Sequence, residues 1–340
     1  MPVPPSGITG LPAFISLLVE VAMGSYALKR LGQSLLTVVI VVVSVFMLLR
    51  LMPMSGYFTR EDYVNMDETA RTAYLHNMGV LDNPVLQFGH FVAGLAKADL
   101  GRSISIYPRT PVLTIIGEKA PYSLWFGLAA LVLSMAFGLA LGVLMARQKD
   151  RLADGLGTAY VTIVRAIPAL IWLFLIQQWV TGLLGWPMIF YGDRPISWIL
   201  PTVSLSLSGI AWYAIWLRRF MVDEENRDYV RFATSKGLPR RRVMTRHVFR
   251  NALVPLVQYF PQQVLLTIAG SLLIESIYSI PGMGGLLVNA IRQQDNPLVQ
   301  ALVLLYSVLG ILGVFLGDML MMLVDPRIKL SDSKAKGGGA

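Results

Sequence analysis

Few side chains in this sequence are placed for covalent or metal chemistry, and their spacing narrows the options quickly. The three histidines, His76, His90 and His247, stand far apart, no His-Glu-x-x-His pair occurs, and there is no cysteine. Thiolate nucleophiles, disulfides and cysteine-based metal sites are thereby excluded. Gly282-Met283-Gly284-Gly285 is glycine-rich but has neither the spacing nor the lysine of a phosphate-cradling loop, so the chain is not expected to hydrolyse a nucleotide on its own. With no paired carboxylates either, the expectation is a non-enzyme that binds no cofactor or metal itself.

What remains is charge in unusual places. Charged side chains carried into apolar sequence are costly in a bilayer and default to a functional reading. Arg165 lies 14 positions beyond Arg151, roughly 21 Å along a continuous helix, which would bring it well into a bilayer's span. In the alternative, the apolar span starts near Ile167 and Arg165 snorkels to the interface. Glu275 closes another apolar run, at the outer end of its span, where solvent could reach it. Asp318 interrupts the last run and reads as a buried carboxylate paired with a neighbouring helix or a second subunit.

The densest constellation lies between Arg218 and Pro255. Asn226–Lys236 has the pattern of a short helix with Tyr229, Phe232 and Ala233 on one face, stopped by Gly237 and Pro239. A second helix restarts after Pro239, with Met244, Val248 and Ala252 recurring every four residues and Arg242, Arg246 and Arg250 recurring on the opposite side. One face is apolar and the other cationic. The segment either rests on anionic lipid or docks on a partner and passes its motion into the rest of the chain.

The elements that position these residues are apolar helices. The 340 residues are 55% hydrophobic and 14% charged, with a mean hydropathy of +0.59. Six stretches carry no ionisable side chain, lying between Arg30 and Arg50, Lys119 and Arg147, Arg165 and Asp193, Arg194 and Arg218, Arg250 and Glu275, and Asp295 and Asp318. Each is long enough to cross a bilayer core of about 30 Å as a helix. Barrel strands alternate polar and apolar residues, whereas Val38–Leu49 and Leu124–Leu144 are apolar on nearly every face. The fold class is therefore an all-α polytopic membrane protein of about six transmembrane helices.

Lysine and arginine set the orientation. With a cytoplasmic N-terminus, nineteen basic residues fall on inner segments, the short outer loops hold only Arg194 and Arg292, and the segment from about Leu51 to Lys119 balances six basic residues against seven acidic ones. Both termini are expected in the cytoplasm. The net charge of +9 then needs no nucleic acid to explain it. The expected organisation is an N-terminal cytoplasmic or interfacial segment over 1–30, a first span over 31–52, an extracytoplasmic segment over 53–118, a core over 119–324 with its loop at 218–255, and a cytoplasmic tail over 325–340. Pro2, Pro4 and Pro5 with no basic start argue against a cleaved signal peptide. Pro168 is a candidate kink in the third span.

The run from Asp228 to Arg242, Asp-Tyr-Val-Arg-Phe-Ala-Thr-Ser-Lys-Gly-Leu-Pro-Arg-Arg-Arg, continues to Arg250-Asn251-Ala252-Leu253-Val254-Pro255. It resembles the coupling loop of binding-protein-dependent ABC importer permeases, specifically the dipeptide/oligopeptide/nickel branch. Ile274–Gly285, Asp325-Pro326-Arg327 and Ala98-Asp99-Leu100-Gly101 followed by Pro111 match three further stretches of that family in order. The usual Glu-Ala-Ala before the loop glycine is here Arg231-Phe232-Ala233, and Met52–Gly56 replaces the Gly-Asp-Pro after the first span. The resemblance implies a type I ABC importer transmembrane-domain fold in a bacterial or archaeal inner membrane. It also implies half of a pore for di- or oligopeptides, with nickel, a metal chelate or an oligosaccharide as the alternative cargo. Implied partners are a second homologous permease, two cytoplasmic ATPases that hold ATP and Mg, an extracytoplasmic substrate-binding protein and membrane lipid, with no nucleic acid. Asp228, Tyr229, Phe232, Ala233, Lys236, Gly237 and Arg240 would be the contacts to the ATPases, and Arg165, meeting a substrate carboxylate, and Glu275 are the candidates for lining the translocation path. A secondary transporter or channel without ATPases is the rival class.

Overall fold

The computed structural model describes residues 11–324 apart from Met52 and Gly79, with side chains described from Ala27 onward except those of Leu49 and Arg60. The Asp325-Pro326-Arg327 motif and the 325–340 tail lie outside the described residues. Among the described residues the structure is helical, with one isolated antiparallel bridge between Arg102 and Pro111. Among the described residues, five helices are long and apolar enough to cross a membrane, and a sharply bent pair makes up to six.

The first helix, α1 (Leu11–Leu49), is continuous across residue 30, so the expected change of segment there is not a break in the backbone. Its apolar stretch is Ala27–Leu48, of which only 11% is buried against the rest of the chain. Three short helices follow: α2 (Arg60–Asn65), α3 (Glu68–Asn77) and α4 (Pro84–Ala96). Thr59, Asp67 and Asn83 cap them by accepting from Asp62, Ala70 and Val85 backbone N–H groups, which removes donors that a helix start otherwise leaves orphaned. Phe88 and Phe91 of α4 pack on Phe46 of α1, with ring centroids 5.2 and 5.9 Å apart.

The centre of the chain is α5 (Val112–Arg147) running along α8 (Ile196–Glu225). Small residues line their seam: a Cβ on Gly138 would sit 2.7 Å from the Tyr213 Cβ, and one on Gly142 would sit 2.8 Å from the Ala214 carbonyl oxygen. Close backbone approach supplies the dispersion contacts that hold spans together where water offers no driving force. Between them in sequence, α6 (Leu152–Ala166) and α7 (Ala169–Leu184) meet at 105° across Ile167-Pro168. The proline removes a helical donor, and its ring disfavours helical backbone at Ile167, so the expected kink is a full elbow.

After α8 come α9 (Asp228–Ser235), then an unbroken helical run from Arg240 to Ala252: α10 (Arg240–Arg242), a π-helical stretch over Val243–Phe249 and α11 (Arg250–Ala252). The fifth span is α12 (Val254–Leu266), a 3₁₀ turn at Thr267–Ala269, and α13 (Leu272–Ile277) beyond Gly270-Ser271. Helices α14 (Gly284–Arg292) and α15 (Asn296–Val324) finish the described chain.

Along α12 and α15 the backbones nearly touch. A Cβ on Gly313 would sit 2.6 Å from Gln262 Cα, and one on Gly317 would overlap the Gln258 carbonyl oxygen. Gly317→Ala should therefore force the pair apart and lower the melting midpoint of the detergent-solubilised protein, by about 1–3 kcal/mol in stability. Gly310→Ala is the control, since nothing lies within 4 Å of its added methyl. Equal melting of the two variants would show that this seam is slack.

Candidate functional site

The Arg218–Pro255 connection folds as a helix pair bolted to the end of α8. Val230 and Ala233 of α9 are buried with Leu217, Met221, Met244 and Val248. Tyr229 and Phe232 point outward, with 37% and 62% of their surfaces exposed. Ala233 is thus a core residue at 5% exposure rather than an outward contact. On a helix it lies about 100° round from Phe232, and the boundary between core and surface falls between them.

Tyr229 holds α9 to the following run. Its hydroxyl donates to a Glu224 carboxylate oxygen, and the Asn251 amide donates to that hydroxyl at 2.9 Å. Burial first, and then the Glu224 carboxylate, push the Tyr229 phenol above its ordinary range, so it stays a protonated donor. The Lys236 ammonium sits 4.3 Å from the Phe232 ring centroid, and Asp228 and Arg231 form an exposed pair at 3.9 Å. Gly237 closes α9 with φ +77°. Its N–H donates to the Thr234 carbonyl at 2.9 Å and the Leu238 N–H to that of Ala233 at 3.4 Å, a Schellman ending that requires left-handed backbone.

The predicted two-faced helix is present. Met244, Val248 and Ala252 are buried, while Arg242, Arg246 and Arg250 are exposed. A strict four-residue repeat drifts off one face of an α-helix, and the wider turns of the π-helical stretch turn it back. Arg240 pairs with Glu225 at 3.6 Å. About two turns deeper along α8, Arg218 grips Asp154 of α6 with two bonds, Nε to Oδ1 at 2.5 Å and Nη2 to Oδ2 at 2.6 Å, and Asp154 is buried. The α8 segment that carries the helix pair is thereby tied to the first turn of α6.

At the heart of the chain, α5, α8 and α12–α13 line a half-open cavity of about 370 Å³. Ser123, Ser134, Ser208, Thr267 and Gln263 give it hydroxyl and amide groups, Phe126 and Trp212 give it aromatic faces, and Glu275 stands at the end remote from the arginine loop. Arg165 is not among its lining residues. It sits exposed in the last turn of α6, beside the elbow, and makes no ion pair among the described residues.

Glu275 is buried, and three donors in the chain already hold it. Ser123 Oγ donates to Oε1 at 2.7 Å, the Ser271 N–H to the same oxygen at 3.1 Å, and the Gly284 N–H to Oε2 at 2.6 Å. Asp318 is buried too, with Arg30 at 3.2 Å and the Gln258 amide donating at 2.9 Å, in line with a carboxylate paired to neighbouring helices.

Several organising residues escaped the sequence reading. Asp295, fully buried, accepts from Ser103 Oγ at 2.5 Å and from the N–H groups of Ile104, Ser105 and Ile106 at 3.0–3.2 Å, pinning the 99–111 loop to the start of α15. Gln177, alone with Gln178 in an apolar run, donates to the Ile277 and Met188 carbonyls at 2.9 and 2.7 Å. An amide pair in an otherwise apolar run was the available signal for Gln177. For Asp295 it was a carboxylate one residue before a helix start.

Comparison with known sequences places these features in company. Residues 138–330 match the family described as binding-protein-dependent transport system inner membrane component. The oligopeptide transport system permease protein AmiC of Streptococcus pneumoniae serotype 4 is 37% identical over 213 residues, covering 62% of this chain and 43% of AmiC. The match thus spans less than half the length of that relative. The dipeptide transport system permease protein DppB of Lactococcus lactis subsp. cremoris is 31% identical over 316 residues, 91% of this chain and 100% of DppB. The glutathione transport system permease protein GsiC of Pectobacterium atrosepticum is 31% identical over 308 residues, 90% of this chain and 99% of GsiC.

Proposed function

Since the chain belongs to the binding-protein-dependent transport system inner membrane components, we propose that it is one permease subunit of an ATP-driven peptide importer. The observation that carries this reading is the build of α9. Its inner face is core, while its outer face offers Tyr229 and Phe232 beside Lys236 and Gly237, a rigid aromatic knob of the kind that anchors protein interfaces. A secondary transporter or channel has no use for such a knob. The excess of lysine and arginine on this side favours a cytoplasmic arginine loop and cytoplasmic termini, which puts the knob within reach of soluble ATPases.

In this reading a second, homologous permease completes the pore, two ATPases that bind ATP and Mg dock beneath, and an extracytoplasmic binding protein delivers substrate above. Asp228, Tyr229, Phe232, Lys236, Gly237 and Arg240 form or shape the ATPase contact, while Ala233 supports it from within. Closure of the ATPases displaces α9. The Tyr229 bonds carry that displacement to α8 and the π-helical run, and the Arg218–Asp154 brace passes it to the start of α6, whose far end is the elbow. The cavity between α5, α8 and α12 is this subunit's share of the path, and its hydroxyls and amide suit the N–H and C=O groups of a peptide backbone. Relatives named for dipeptides, oligopeptides and glutathione favour peptide cargo over nickel or sugar.

The test is uptake in cells lacking this chain. Loss of labelled dipeptide or tripeptide uptake, restored by the chain and abolished by ATP depletion, is expected. Restored uptake that survives ATP depletion would turn the reading toward a secondary transporter. Nickel uptake lost with peptide uptake intact would replace the cargo.

A further inference from the structure

Between Gly270 and Gly284 the chain makes a tight hairpin at the end of the central cavity remote from the arginine loop, with α13 as one limb. Resting on the permease reading above, we propose that this hairpin is the outer gate of the path and that Glu275 with Ser123 is its latch, rather than a substrate-binding pair.

The geometry carries the assignment. Glu275 ties the two limbs of the hairpin together, accepting from Ser271 on one side and Gly284 on the other. Ser123 then fastens the hairpin to α5 through both limbs at once: it donates to Glu275 at 2.7 Å and accepts from the Met283 N–H at 2.7 Å. The surroundings leave the carboxylate no room to turn away. A Cβ on Gly270, where φ is +75°, would overlap Glu275 Oε1, one on Gly282 would sit 2.5 Å from its Cδ, and one on Gly284 would sit 2.9 Å from Oε2. A carboxylate whose two oxygens already receive three donors has little capacity left for a substrate cation.

The remaining attachments of the hairpin sort by strength. Phe190 donates to the Tyr278 carbonyl at 2.7 Å, Gln177 to that of Ile277 at 2.9 Å, and Tyr306 to that of Met283 at 3.0 Å, while the Tyr278 hydroxyl shares a hydrogen bond with Ser204 Oγ at 3.0 Å. These are bonds between neutral partners on α7, the following loop, α8 and α15. Ser123 is the one contact from α5 that engages the charged group, and bonds to charged groups are roughly twice as strong as neutral ones. When α5 moves relative to α12 and α15, that bond has to break for the hairpin to leave the cavity mouth.

The absence of native cysteine allows a direct test. A single reporter, Ser208→Cys in the cavity wall, is exposed in spheroplasts to a membrane-impermeant maleimide, with the whole transporter present. Glu275→Gln sets an amide N–H against backbone N–H donors, and Ser123→Ala removes the bridge with a smaller disturbance. Either is expected to raise the resting labelling rate from outside at least about tenfold, the factor that one lost charge-assisted bond takes from a two-state equilibrium. Co-purification of the other subunits confirms assembly, and if the glutamine variant fails to assemble the alanine variant decides.

Unchanged labelling in an assembled Ser123→Ala complex would overturn the latch. A raised KM for peptide with unchanged labelling would make Glu275 a substrate ligand and overturn it too. If the reporter in the parent chain never labels from outside, even during turnover with ATP and binding protein, the cavity is not the path and the permease reading of this site fails first. If it labels during turnover but the variants leave its resting rate alone, only the latch fails.

Discussion

Gly237→Val should abolish substrate-stimulated ATP hydrolysis while leaving the chain in the membrane at its normal level. Gly237 has φ +77°, and a Cβ there would meet nothing within 4 Å, so the penalty is backbone conformation and not crowding. An L-residue in the left-handed region costs roughly 1–2 kcal/mol, and a β-branched one is a sharper outlier. The cheapest relief is to give up the Schellman ending, which releases Leu238 and lets α9 swing on its remaining attachments. Peptide uptake should then fall at least about tenfold, the equivalent of about 1.4 kcal/mol. Asparagine, which tolerates left-handed backbone, should retain most of it. Reconstituted vesicles with the complete transporter give both readings, and full uptake in the valine variant would defeat the coupling role.

The second large effect is expected at Asp154. Removing its carboxylate strands Arg218, whose side chain is only 24% exposed, without its two-bond partner. Breaking a fully buried pair costs about 3–5 kcal/mol, and the part of Arg218 that stays wet brings the expected loss for Asp154→Ala to about 2–3 kcal/mol. Replacing both members with apolar residues removes the stranded charge. Asp154→Leu with Arg218→Met should therefore melt within about 1 kcal/mol of the parent yet couple less well, because the brace between α8 and α6 is gone. A double variant that melts as low as the single one would show that the loss at Asp154 has another source.

Much of this architecture was legible because bilayer physics leaves a coarse signature. Five of the charge-free runs gave spans, while the third holds only α7, which reaches spanning length together with the charged helix α6. The alternation of Met244, Val248 and Ala252 with Arg242, Arg246 and Arg250 gave both faces of the loop helix. Pro168 announced a disturbance, but its 105° size depends on how α6 and α7 pack, which no local pattern encodes. Ala233 was misplaced because periodicity gives an angle without saying where the neighbouring helix sits. Glu275 looked accessible because it ends an apolar run. Its partners, Ser123 and Gly284, are respectively 152 residues before it and 9 residues after it, and only the fold brings them together. Asp295 was hidden for the same reason, its donors lying in a loop almost 200 residues upstream.

The elbow at Ile167-Pro168 has a consequence for how this subunit is oriented among its neighbours. The last carbonyls of α6 have no helical donors ahead of them, and Ile163 and Arg165 through Pro168 are exposed on the isolated chain. Acyl chains cannot satisfy bare carbonyls, so irregular backbone at membrane depth survives only against protein or water. The elbow is therefore expected to face protein or water and not fatty tails, and Ala27–Leu48 of α1, apolar and largely uncovered, is expected on the flank that those tails wet.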